Sequence, residues 1–104
     1  MDNKLRGISS HLNRHFKLNE RDSGEVERAF FKLCDRLHEK NARSVMHSSL
    51  CMYLAAWSVS AKIVVETELS DRDWTDMLRQ LSVPAERLKE AEIKVLKLVD
   101  WLVI

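Results

Sequence analysis

The sequence predicts an all-α fold, a bundle of five helices around a central apolar third helix, and three observations predict it. Apolar residues recur at helical spacing in successive segments, helix-start signals fall between those segments, and the central segment is apolar almost all round. With only 2 Gly and 1 Pro among 104 residues, the chain suits long elements joined by few tight turns. A chain of this length buries one core and no second one, so residues 1–104 are expected to form a single domain.

The first helix is expected over Asn3 to Phe16, where Leu5, Ile8, Leu12 and Phe16 share a face and Gly7 weakens the pattern. Asn19 to Gly24 reads as a connection. The second helix starts near Ser23, a good N-cap with acidic residues after it, and runs to about Lys40. Val26, Phe30, Leu33 and Leu37 form its inner face, widened by Phe31 and Cys34. After a turn over Asn41 to Ser44, the third helix is expected to run to about Glu66, carrying Val45, Met46, Leu50, Met52, Leu54, Ala55, Trp57, Val59, Ile63 and Val64. A helix apolar on every side belongs in the middle of a bundle.

Ser70 with Asp73 resembles a capping box opening a short fourth helix with Trp74, Met77, Leu78 and Leu81. Ser82 and Pro84 mark the start of a fifth, which reaches about Asp100 with Leu88, Ala91, Val95 and Val99 inward.

Several function classes fall away on composition. Lys plus Arg number 17 against 16 Asp plus Glu, interspersed, so a net charge of +1 exerts no general pull on nucleic acid or anionic membrane. The stretch Met46 to Val65 is long enough to span a bilayer, but it contains His47, Ser48, Ser49, Ser58, Ser60 and Lys62. No membrane span is expected. The start lacks the apolar core of a secretory signal, which points to the cytoplasm or nucleus and to reduced thiols at Cys34 and Cys51.

Chemistry-bearing clusters are sparse. Cys34, His38, His47 and Cys51 are four ligand types on two helices expected to pack antiparallel, but the spacing matches no usual zinc module and both cysteines lie in apolar surroundings. His11 and His15 share a polar face without a companion acid or base. Trp57, Trp74 and Trp101 read as core and helix-end packing in preference to a base-stacking platform. No phosphate loop or nucleophile motif is present, so no enzyme, metal or cofactor is expected.

The informative positions are two charges on apolar stripes. Lys62 follows the long apolar run of the third helix, and Glu92 shares a stripe with Leu88, Val95 and Val99. Neither has an easy route to water in this pattern, so the two are expected to lie close together. Pattern alone leaves three readings open: an internal ion pair that fixes helix register, a lysine that snorkels out to water along its stem, or a surface patch that contacts the backbone of a docked partner.

These residues resemble a known family. Leu33-Cys34-Asp35-Arg36-Leu37, then Ala61-Lys62 ending a long apolar helix, then Glu92 followed by Leu96 and Trp101, look like a cyclin box, over nearly the whole chain and most strongly from Ala29 onward. The resemblance implies a non-catalytic regulatory subunit that binds a cyclin-dependent kinase and shifts its regulatory helix toward the active state. Lys62 and Glu92 would contact the kinase, while Arg6 and Asp35 would form a scaffold ion pair between the first two helices. Where many cell-cycle cyclins carry a Leu and a Trp in a first-helix substrate-docking patch, this chain has Ser9 and Leu12, so substrate recruitment there is not implied. The sequence stops just after the fifth helix, which suits a single-box cyclin, a divergent one or an excised domain. Two other functions fit a helical domain of this kind: a cyclin-fold DNA-binding domain of the transcription-factor type, and an adaptor or decoy that docks without activating.

Overall fold

Helix starts in this chain are set by side-chain caps, and in several places a different cap acts from the one the sequence pattern suggests. A computed structural model of the protein describes residues 2–65 and 69–98. It contains α1 (Asp2–His15), α2 (Glu20–Glu39), a 3₁₀ turn (Ala42–Val45), α3 (Ser49–Val64), α4 (Asp71–Gln80) and α5 (Ala85–Leu98). No strand occurs among the described residues, and no helix there is long and apolar enough to cross a membrane.

The segment Asn19 to Gly24 is not a connection. Asn19 caps α2 by accepting from the Asp22 amide at 2.7 Å, and Glu20 and Asp22 then place negative charge beside the first unpaired amides. Ser23, the expected cap, instead lies one turn inside the helix, its amide bonded to the Asn19 carbonyl. The third helix likewise starts later than the apolar pattern suggests. Ser48 caps it by accepting from the Cys51 amide at 3.1 Å, so Val45 and Met46 precede it, Val45 in the 3₁₀ turn and Met46 at its extended end. Ser70 caps α4 through the Asp73 amide as expected.

Three helices end on residues with left-handed backbones: Lys17 (φ 55), Asn41 (φ 53) and Ser82 (φ 56). After α1, the Lys17 amide bonds to the Arg14 carbonyl and the Leu18 amide to the Asn13 carbonyl. After α4, Ser82 and Val83 bond to Arg79 and Leu78 in the same way. Both are Schellman closures, which satisfy the last free carbonyls of a helix at the cost of one positive φ. Ser82 therefore terminates α4 and does not cap α5. Pro84 precedes α5, and its carbonyl accepts the first backbone bonds of that helix, from the Arg87 and Leu88 amides. Val99 and Asp100, the expected end of the fifth helix, lie outside the described residues, as do Glu66 and Trp101.

Every residue of α3 from Cys51 to Ala61 is buried, and α3 packs most extensively on α2 and α5, with α1 against α2. The inner faces contribute Leu5, Leu12 and Phe16 from α1, Val26, Phe30, Leu33 and Leu37 from α2, and Leu88, Ala91 and Val95 from α5, all in one continuous core. At one end, Phe16 stacks on Trp57 with ring centroids 5.3 Å apart, and Trp74 of α4 packs on both. The Trp57 indole N–H donates to Asn13 Oδ1, which removes the polar penalty of burying that ring. Trp57 and Trp74 are thus packing residues. A radius of gyration of 12.5 Å matches one compact domain of this length.

The left-handed residues make a direct test. Lys17→Gly and Ser82→Gly should each stabilise the fold by ~0.5–1 kcal/mol, because glycine adopts positive φ without a Cβ clash. Thermal or urea unfolding of the single variants checks this.

Candidate functional site

The buried run of α3 stops at Ala61, and the next residue decides the site. Lys62 emerges at the surface with its side chain 64% exposed, and its ammonium donates to Glu92 Oε2 of α5 at 2.6 Å. The expected proximity of the two charges is therefore present. Of the readings left open, a fully internal pair is not formed: Lys62 reaches water, and Glu92 is the more enclosed, 15% exposed, because it sits on the edge of the α5 stripe formed by Leu88, Ala91 and Val95. Lys62 escapes because the helix leaves the core one residue before it.

The surroundings of the pair were not singled out by the pattern. Ile63 and Ile93, the residues immediately after Lys62 and Glu92, are 50% and 51% exposed, and Leu96 is half-buried one turn beyond Glu92 on α5. Ile63 was assigned to an all-round apolar helix and Ile93 to none of its faces. A helical projection of α5 finds Ile93, since it lies well away from the stripe of Leu88 and Val95. Each isoleucine is turned about 100° around its helix from the charged residue before it, so the two are exposed near the pair and not packed against it.

The proposed scaffold pair does not form. Arg6 and Asp35 are both exposed, and among the described residues no ion pair joins them. The reason is helical phase. On α2 the core face is Val26, Phe30, Leu33 and Leu37, and Asp35, two residues from both Leu33 and Leu37, falls on the opposite side. The two helices meet through apolar residues instead.

The first-helix patch has its own geometry. An apolar hollow of about 300 Å³ lies between α1, the start of α3 and the end of α4, lined in part by Ile8, Leu12, Leu50, Leu54 and Leu81. Leu12 belongs to its wall, while Ser9 is fully buried and turned inward, with its Oγ 3.5 Å from Asn13 Nδ2.

Among the described residues no three of His, Cys, Asp and Glu come together in a way that suits a metal ion. Cys34 and Cys51 are buried free thiols, His47 is exposed, and His38 Nε2 lies 3.1 Å from the Tyr53 hydroxyl. Burial pushes the Cys34 thiol up to about 12, helped by the neighbouring Asp35 carboxylate. The Tyr53 phenol is raised too, by burial first and by Cys34 second. His15 extends α1 toward α4, its Nε2 2.8 Å from the Asp73 carbonyl, so this histidine is a structural tie.

No protein-family model, curated protein or solved structure matches the chain.

The raised thiol dictates how stability varies with pH. An unfolded cysteine ionises near ~8.5, whereas folded Cys34 holds its proton to about 12. The stabilisation is whole below the unfolded value and is lost as pH rises through the interval between the two. Urea unfolding from pH 8 to 11 should show stability falling, with a shallower fall in Cys34→Ala; equal slopes in the two proteins would contradict the assignment.

Proposed function

We propose that the chain is a cyclin-box-type regulatory subunit that docks on a protein kinase of the cyclin-dependent class through the surface around Lys62 and Glu92. The observation that carries this reading is an ion pair at the surface that joins α3 to α5, with an exposed isoleucine following each of its two residues in the chain. The resemblance of Ala61-Lys62 and of Glu92 with Leu96 to the cyclin landmarks supplies the partner class, and the all-helical bundle around a buried third helix is compatible with it.

The chemistry of docking follows from the pair. Lys62 has three N–H donors, and the bond to Glu92 occupies one, which leaves donors for a partner's backbone carbonyls. Glu92 holds the ammonium in position and keeps a second carboxylate oxygen for a partner amide. The apolar side chains lose water on contact, which also strengthens the charged contacts.

Activation is then a population shift. The kinase helix that carries a glutamate must approach the ATP-site lysine for phosphoryl transfer, and a subunit that binds this arrangement more tightly than the displaced one raises its population by the ratio of the two affinities.

Binding assays against a panel of such kinases test the proposal. Lys62→Ala and Glu92→Ala should each weaken binding by ~2–5 kcal/mol. Lys62→Ala should change the stability of the free protein by no more than ~1 kcal/mol, because the ammonium is solvated and its ion pair is screened. Unchanged kinase affinity in both variants would overturn the docking surface, and binding without a rise in kinase activity would assign the chain to the adaptor or decoy class.

A further inference from the structure

A second surface lies on the other flank of α5. Measured around the helix from Val95, Glu92 falls on one side of the buried stripe, and Arg87 and Lys94, two turns apart, fall together on the opposite side. That side faces the 3₁₀ turn and the residues after it. Between them is a hollow of about 210 Å³, with Val45, Met46 and His47 on one wall and Arg87, Glu90 and Lys94 on the other. Buried Met46 and Ala91 underlie it, and the small Ala91 side chain gives it depth.

One cation of the hollow is held in place, and the turn that forms its other wall is tied down. Lys94 Nζ donates to the Val45 carbonyl at 2.9 Å, which fixes the ammonium at the wall. Arg43 secures the turn from behind, its Nε donating to Ser49 Oγ at 2.8 Å and its Nη1 to the Met46 carbonyl at 3.3 Å. Among the described residues, the side chains of Arg87 and His47 have no hydrogen-bond or ion-pair partner, and Glu90 pairs with neither Arg87 nor Lys94. Two cations and an imidazole therefore face one cavity with a single carboxylate at its rim.

We infer that this hollow binds one phosphate monoester, carried on a phosphorylated serine or threonine side chain of a protein. An unpaired guanidinium offers the forked donors that match phosphoryl oxygens, and Lys94 adds a point charge with donors to spare. The cavity has room for one such group, not for an extended segment. A membrane surface is the weaker match, since attraction to lipid headgroups grows with the number of adjacent cations, and the chain carries a net charge of only +1. The inference does not depend on the kinase reading, because it uses the opposite flank of α5.

The test is an NMR titration of the labelled protein with an acetylated Gly-phosphoserine-Gly amide, its unphosphorylated counterpart, inorganic phosphate, and vesicles containing phosphatidylinositol 4-phosphate. Saturable shifts are expected at amides of residues 44–47 and 87–94 with the phosphopeptide and not with its counterpart. Arg87→Gln should weaken that binding about tenfold, and Glu90→Gln should strengthen it several-fold by removing the opposing charge. The Arg87 side chain is exposed and without a partner among the described residues, so its replacement leaves the fold intact. Unaltered affinity in Arg87→Gln, or shifts scattered over other charged residues, would overturn the site. Inorganic phosphate bound as tightly as the phosphopeptide, or vesicles bound more tightly, would overturn its assignment to a protein-borne phosphate.

Discussion

The constraint on which the rest of the structure depends is the burial of α3 on every side. From Cys51 to Ala61 every residue is buried, so this helix has no polar face with which to stand at a surface. A short isolated helix is marginal in water, and one that is apolar all round gains stability only when neighbours cover it from several directions. Helices α2 and α5 do most of this, and α1 and α4 close one end through Phe16 and Trp74. Small residues on α3, among them Ala55, Ala56, Ser60 and Ala61, leave room for large neighbouring side chains, and Trp57 fills the end where the aromatic cluster forms. The arrangement has a local cost. Ser60 Oγ bonds to the Ala56 carbonyl, but Ser58 Oγ is buried without a partner among the described residues, a defect of ~1–3 kcal/mol that the surrounding packing offsets.

The candidate surface is a consequence of where that burial ends. One residue past Ala61 the chain meets solvent, and the residue placed there is a lysine whose charge is answered from α5 by Glu92. The same bundle geometry divides α5 into two flanks. One carries Glu92 and Leu96 near Lys62; the other turns Arg87 and Lys94 toward the connection between α2 and α3. A single helix thus serves the core with one stripe and two chemically distinct surfaces with its sides.

The five helices were legible in the sequence because each has a long apolar stripe, and the central place of α3 because its stripe has no edge. Their starts were less so. Asn19 and Ser23 are both competent caps, and the choice between them rests on where α1 closes, which a Schellman turn at Lys17 decides with a residue that carries no positive-φ signature. Val45 and Met46 have the hydrophobicity of helix α3 but precede it, because the Ser48 cap outweighs apolar continuity. At the site, the proximity of Lys62 and Glu92 was readable from charges on apolar stripes, while the choice between an internal and a surface pair was not, since a linear pattern does not say where a buried helix leaves the core. The expected Arg6–Asp35 pair came from the family resemblance and ran against the helical phase of α2, which sets Asp35 away from the core. The contact of Lys94 with the Val45 carbonyl joins residues far apart in sequence and has no local signal.

Hydrogen exchange of the protein, free and mixed with cyclin-dependent-type kinases, tests the central claim most directly, because it maps the docked surface without altering it. The account predicts new protection where the C-terminal part of α3 and the Glu92 flank of α5 meet the partner, with amides around Lys62 and Glu92 slowed together. Protection confined to the first-helix hollow or to the 3₁₀ turn, or no change with any such kinase, would contradict it.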